Sequence, residues 1–147
     1  MADANFRRIL IAVGAGDASV KAARVGLDLA KALGAESAIL HVVEPLTSPS
    51  SQIGIPAGEL VQVVEREEDT VLAALERTLV LPPSTLQFVH VGHPPDIVDR
   101  VAKDWTADLI VVGSHDRGGL SRALLGSVAD KIIRHAPCPV LVVRKAP

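Results

Sequence analysis

The sequence predicts one doubly wound α/β domain, a parallel sheet covered by helices on both faces, and three observations predict it. Short β-branched apolar runs alternate with helix-spaced segments in the order β-α-β-α-β-α-β-α-β. The strand runs are nearly all apolar, as strands buried on both faces must be. At 147 residues, with no internal repeat and no linker, the chain holds one domain of ordinary size.

The first strand is the run Ile9-Leu10-Ile11-Ala12-Val13, ended by Gly14-Ala15-Gly16. Asp17 or Ser19 then caps a helix whose apolar residues Val20, Ala23, Leu27 and Ala30 share one face, and Gly34 stops it. Ser37 to Val43 is the second strand, closed by Pro45. Residues 45–58, rich in proline, serine and glycine, read as a flexible surface loop. Leu60, Val64, Val71 and Leu75 line one face of a long helix, with Glu65 to Asp69 as its solvated face. Leu86 to Val91 alternates more openly and is the third strand. Pro94-Pro95 suits a first helical turn, and Ile97, Val98, Val101, Ala102 and Trp105 give that helix its apolar side. Asp108 to Gly113 is the fourth strand, roughly 127–135 the last helix, and Pro139 to Val143 the fifth strand.

Composition narrows the function. Aromatic residues are only 2% of the chain, so the core is built from Val, Ile, Leu and Ala, and stacking platforms for single-stranded nucleic acid are excluded. A net charge of −2 supplies no field to draw in nucleic acid or an anionic membrane. One cysteine excludes an internal disulfide and a multi-cysteine metal site. Met1 to Arg8 is polar, the apolar run after it is short for a signal peptide, and nothing approaches the roughly 20 apolar residues of a spanning helix. A cytoplasmic protein is expected.

In such a sheet, ligands bind beyond the carboxyl ends of the strands, where the chain switches faces. Two segments qualify: Gly14-Ala15-Gly16, and the stretch from Val112-Gly113-Ser114-His115-Asp116-Arg117 to Gly126-Ser127-Val128. The second holds four glycines within the fourteen residues 113–126 and opens a helix, so its backbone can fold around an anion at the positive end of the dipole. Ser127 is a natural N-cap, and Arg117 or Arg122 is placed to neutralise phosphate. The same residues also read as turn glycines and a helix cap. Neither segment is a Walker A loop, and Gly14-x-Gly16 lacks the third glycine of the dinucleotide fingerprint.

These residues resemble the universal stress protein family, over nearly the whole chain. The likeness is carried by Ile9 to Val13, Leu40-His41-Val42-Val43, Gly92-His93-Pro94, Ala107 to His115, Leu120 to Ala129 and Ala136 to Val143. It implies strand order 3-2-1-4-5 and, in the nucleotide-binding branch, a pattern Gly-x2-Gly-x9-Gly-Ser/Thr. Gly113, Gly126 and Ser127 match that pattern, and Asp116 stands at its second glycine. The resemblance places the Val42 backbone at the adenine edge, and Ala12 and Val13 along the pocket. Where the family has an aspartate for the nucleoside, this chain has Gly14, losing a hydrogen bond worth on the order of 1.5–3 kcal/mol. Asp116 sets a negative charge in a loop that surrounds phosphate, unless Arg117 or a metal offsets it. The expected ligand is an adenine nucleotide, ATP, ADP or AMP, with magnesium accompanying ATP.

The function these features imply is a stress-response sensor or regulator. The alternatives are a nucleotide-free dimeric interaction protein, which Gly14 favours, and a slow ATP hydrolase, which little favours. The resemblance also implies a homodimer through the fifth strand, Val140-Leu141-Val142-Val143, with Arg144 and Lys145 at its rim. His90 and His93 have a spacing seen in metal sites but no accompanying ligands, and read as a strand end and a turn. His115 reads as a ligand contact or a structural hydrogen-bonder rather than a general base, Cys138 as a small packing residue and Trp105 as core. No catalytic residue is assigned.

Overall fold

The computed structural model describes residues 5–14, 17–44, 73, 75, 77–114 and 126–144, with residue 17 described by its backbone alone. The strands are β1 (Arg8–Val13), β2 (Glu36–Val43), β3 (Leu86–Val91), β4 (Leu109–Gly113) and β5 (Val140–Val143). The helices are α1 (Asp17–Leu33), α2 (Pro94–Trp105) and α3 (Ser127–His135). The sheet has the order β3-β2-β1-β4-β5, as the family resemblance implies, and every neighbouring pair is parallel, as the strand pattern predicts. The predicted loop 45–58 and most of the helix predicted after it lie outside the described residues.

Strand alternation divides β1 between two cores. Ile9, Ile11 and Val13 face α1, where Ala22, Ala23, Leu27 and Ala30 cover them and Leu75 joins from the segment before β3. Leu10 and its neighbours Leu40 and Ile110 face the other way, under α2 and α3. Ile9, Leu10 and Ile11 are wholly inaccessible to solvent, each contributing about 1.5–3 kcal/mol of burial. This explains why the strand is apolar without a break: it has no solvent face.

Two helix ends show how local chemistry meets packing. α1 stops at Gly34, whose φ of 65° no branched residue adopts at low cost, and Ala35 N–H returns to the Ala30 carbonyl at 2.8 Å. α2 ends instead on Thr106 at φ 55°, an uncommon place for a β-branched residue. Arg8 holds it there, its Nη1 donating to the Trp105 carbonyl at 2.8 Å and to Thr106 Oγ1 at 2.6 Å. The same guanidinium lies 5.7 Å from the Trp105 ring centre and 3.5 Å from Glu36. Asp108 Oδ2 accepts from the Arg7 and Arg8 backbone N–H groups, both at 2.9 Å. These contacts tie down the amino-terminal end of the sheet. Trp105, expected in the core, is half-buried at its rim, edge-on to Phe88 and beneath Arg8.

Candidate functional site

The crevice forms at the opposite, carboxyl end. From β1 the chain passes to α1 on one face, while α3, which follows β4, packs on the other, so the two adjacent strands diverge at a switch point. Gly14 N–H donates to Ser19 Oγ at 2.8 Å, which folds the turn back onto the first turn of α1. Ser19 therefore closes the turn from inside the helix, because α1 begins at Asp17. A Cβ added to Gly14 would meet, among the described residues, Ser19 Oγ at 4.0 Å, an ordinary contact distance.

Gly113 is different. A Cβ there would lie 3.1 Å from the Ala18 carbonyl oxygen and 3.2 Å from its carbon, so the glycine lets α1 rest directly on the end of β4. Ser114 N–H donates to the Val143 carbonyl at 2.9 Å, and the Ser114 carbonyl accepts from Gly126 N–H at 2.8 Å. The two ends of the glycine-rich stretch thus meet, and α3 starts beside the end of β4. Gly126, not Ser127, is the N-cap, with no side-chain bond capping the helix, and Ser127 is its first residue. The reason is that the 126 carbonyl already accepts the first helical bond, from Asp130 N–H at 3.0 Å. A helix N-terminus is the positive end of the helix dipole and favours an anion, and this one lies beside the end of β4.

The structure gathers four predicted residues on one face: Ala12, Val42, Val112 and Val128 all pack against the α2–α3 core. Val13 turns to the α1 side and is 6% exposed, so only its backbone borders the crevice. His115, Asp116 and Arg117 lie outside the described residues, as does Arg122. His93 caps α2 and sits 3.2 Å from Asp96 through Nδ1. Among the described residues no three His, Cys, Asp or Glu side chains come together as metal ligands, so magnesium finds no ready donor set among them. Cys138 is half-buried against the α2–α3 core, and burial, then the Asp108 carboxylate, pushes its thiol pKa up.

One residue read from the sequence only as a polar strand end gains a neighbour in the structure. His90 stands opposite Val42 in the β2–β3 register, so the row across the carboxyl end of the sheet continues into an imidazole. Its signal was the strand position alone, which becomes meaningful only once β3 is known to lie beside β2. No helix among the described residues is long and apolar enough to cross a membrane.

A parallel doubly wound sheet, with its crevice between diverging strands and a helix N-terminus at one wall, defines the class. The chain belongs to the universal stress protein family, matching it over residues 5–144. It is 35% identical to a universal stress protein of Methanocaldococcus jannaschii, over 95% of this chain and 83% of that one. It is 33% identical to the universal stress protein YxiE of Bacillus subtilis, over 95% and 99%. Among solved structures, the universal stress protein UspA of Lactobacillus plantarum superposes with a TM-score of 0.78 at 24% identity, over 95% of this chain and 99% of that one. A universal stress protein in complex with cAMP gives 0.65 at 20% identity, over 97% and 99%. A universal stress protein of Archaeoglobus fulgidus in complex with dAMP gives 0.62 at 19% identity, over 95% and 98%. These likenesses establish the fold.

Proposed function

We propose that this chain is a cytoplasmic regulatory module that binds an adenine nucleotide in the crevice beyond β1 and β4. The observation that carries this reading is the pinned start of α3: Gly126 N–H is held by the Ser114 carbonyl, aiming an N-terminus without a side-chain cap at the mouth of the crevice. Phosphate sits at that helix end, sugar over Gly14, and base toward Ala12 and the Val42 backbone. Relatives of the fold solved with cAMP and dAMP support adenine as the base. In this reading the ligand acts as a signal.

The module works as a homodimer joined through β5. That strand pairs with β4 alone, and its apolar side chains include the exposed Leu141. Lys21 Nζ donates to the Arg144 carbonyl at 2.8 Å, and Ser114 N–H to that of Val143, so α1 and the ligand loop both grip the end of this edge. Through those bonds a ligand biases the dimer.

Gly14 favours a second reading, in which the fold persists without a nucleotide and serves only for interaction. Calorimetry on the full chain with ATP, ADP, AMP and cAMP, followed by a phosphate-release assay, separates the two. Binding without turnover is expected. No heat with any of the four would leave the interaction reading.

A further inference from the structure

The row of side chains at the carboxyl end of the sheet does not stop at β2. Phe88 packs against the α2–α3 core, and strand alternation puts His90, two residues on, over the same face. Its register partner is Val42, the residue whose backbone borders the base in the reading proposed above. Neighbouring strands lie about 4.8 Å apart, so β3 stands roughly 10 Å from β1, where the sugar would lie. A two-ring base pointing outward from β1 spans much of that distance, and a one-ring base stops short of it.

His90 is half-buried, and its ring enters no hydrogen bond or ion pair among the described residues. His93 differs, being engaged with Asp96. An uncharged imidazole offers one donor and one acceptor, and which nitrogen carries the proton is set by the partner of the other. With no such partner, His90 can present either a lone pair or an N–H toward the crevice. The flanking residues on this face, Val42, Phe88 and Ile97, are apolar and offer no competing group.

We infer that His90 is the specificity-determining residue for the base, hydrogen-bonding the 6-position of a purine by accepting from a 6-amino group or donating to a 6-oxo group. The site therefore selects purines over pyrimidines and does not sort adenine from hypoxanthine. This inference rests on the nucleotide reading.

The test is calorimetry at about pH 8 with AMP, IMP and CMP on the full chain, on His90→Leu, which fills the space without a polar atom, and on His90→Asn, which restores a donor and an acceptor. The wild-type chain is expected to bind AMP and IMP within about threefold of each other, and both more tightly than CMP. His90→Leu should weaken AMP and IMP by about tenfold while leaving CMP unchanged, and His90→Asn should recover most of the loss. Equal loss for all three nucleotides in His90→Leu, or no loss for AMP and IMP in either variant, overturns the role of His90 while leaving the nucleotide site standing. A wild-type chain that binds none of the three overturns both.

Discussion

Single residues at the two ends of the sheet have opposite duties. Gly126 has φ −60° and ψ 154°, a backbone open to any residue, so glycine is not needed there for conformation. In the reading proposed above, a branched side chain there would obstruct the approach of a phosphate to the helix end. Gly126→Val should fold with unchanged circular dichroism and lose nucleotide binding; a folded variant with wild-type affinity would put the phosphate elsewhere. At the other end, Cys138 keeps its proton because burial, and then Asp108, disfavour the thiolate. Its alkylation by iodoacetamide should therefore rise at higher pH in the folded chain than in the unfolded one. The sign carries over to stability: a pKa raised by folding means the folded state holds the proton longer. The associated stability is complete below the unfolded thiol's pKa and is lost as pH climbs through the folded value. Equal alkylation midpoints for folded and unfolded chains would contradict this.

At the scale of elements, α1 approaches β1 closely at Gly26. A Cβ on Gly26 would come within 2.6 and 2.7 Å of Ile11 Cγ1 and Cδ1, and Ile11 has no exposed surface into which to retreat. Gly26→Val should lift the helix and cost about 2 kcal/mol, lowering Tm by roughly 4–8 °C, despite replacing the residue least suited to a helix after proline. Urea unfolding at wild-type stability would show the contact to be soft. The same closeness was invisible in the sequence, where Gly26 is one more position inside a helical repeat. The helix was legible from Val20, Ala23, Leu27 and Ala30; the reason for its glycine lay in a strand fifteen residues earlier.

At the scale of the whole molecule, β3 and β5 are the edge strands of the sheet, each paired along one side with a neighbour. At β5, Ile110 N–H donates to the Pro139 carbonyl and Ser114 N–H to that of Val143. By alternation, Leu141 also turns its peptide groups inward, while Val140 and Val142 turn theirs to the open edge. Val142→Pro removes an outward donor and none from the ladder with β4. In the dimer we propose, this variant should sediment as a monomer at concentrations where the wild-type chain is a dimer, with the same circular dichroism. A wild-type chain that sediments as a monomer at micromolar concentration would remove the dimer altogether.

The sequence by itself determined the order of the described strands and helices and the parallel sheet, and it pointed to the carboxyl end of that sheet as the place for a ligand. Unbroken apolar strands, helical spacing and glycines after strands are local patterns that each follow from one stretch of chain. Strand order came with the family resemblance carried by those stretches. Only the tertiary structure decided which side chains share a face. It set Val13 apart from Ala12, made Gly126 rather than Ser127 the cap, and brought His90 beside Val42. Those outcomes depend on register and on which helix covers which surface, quantities set by contacts between residues far apart in the chain.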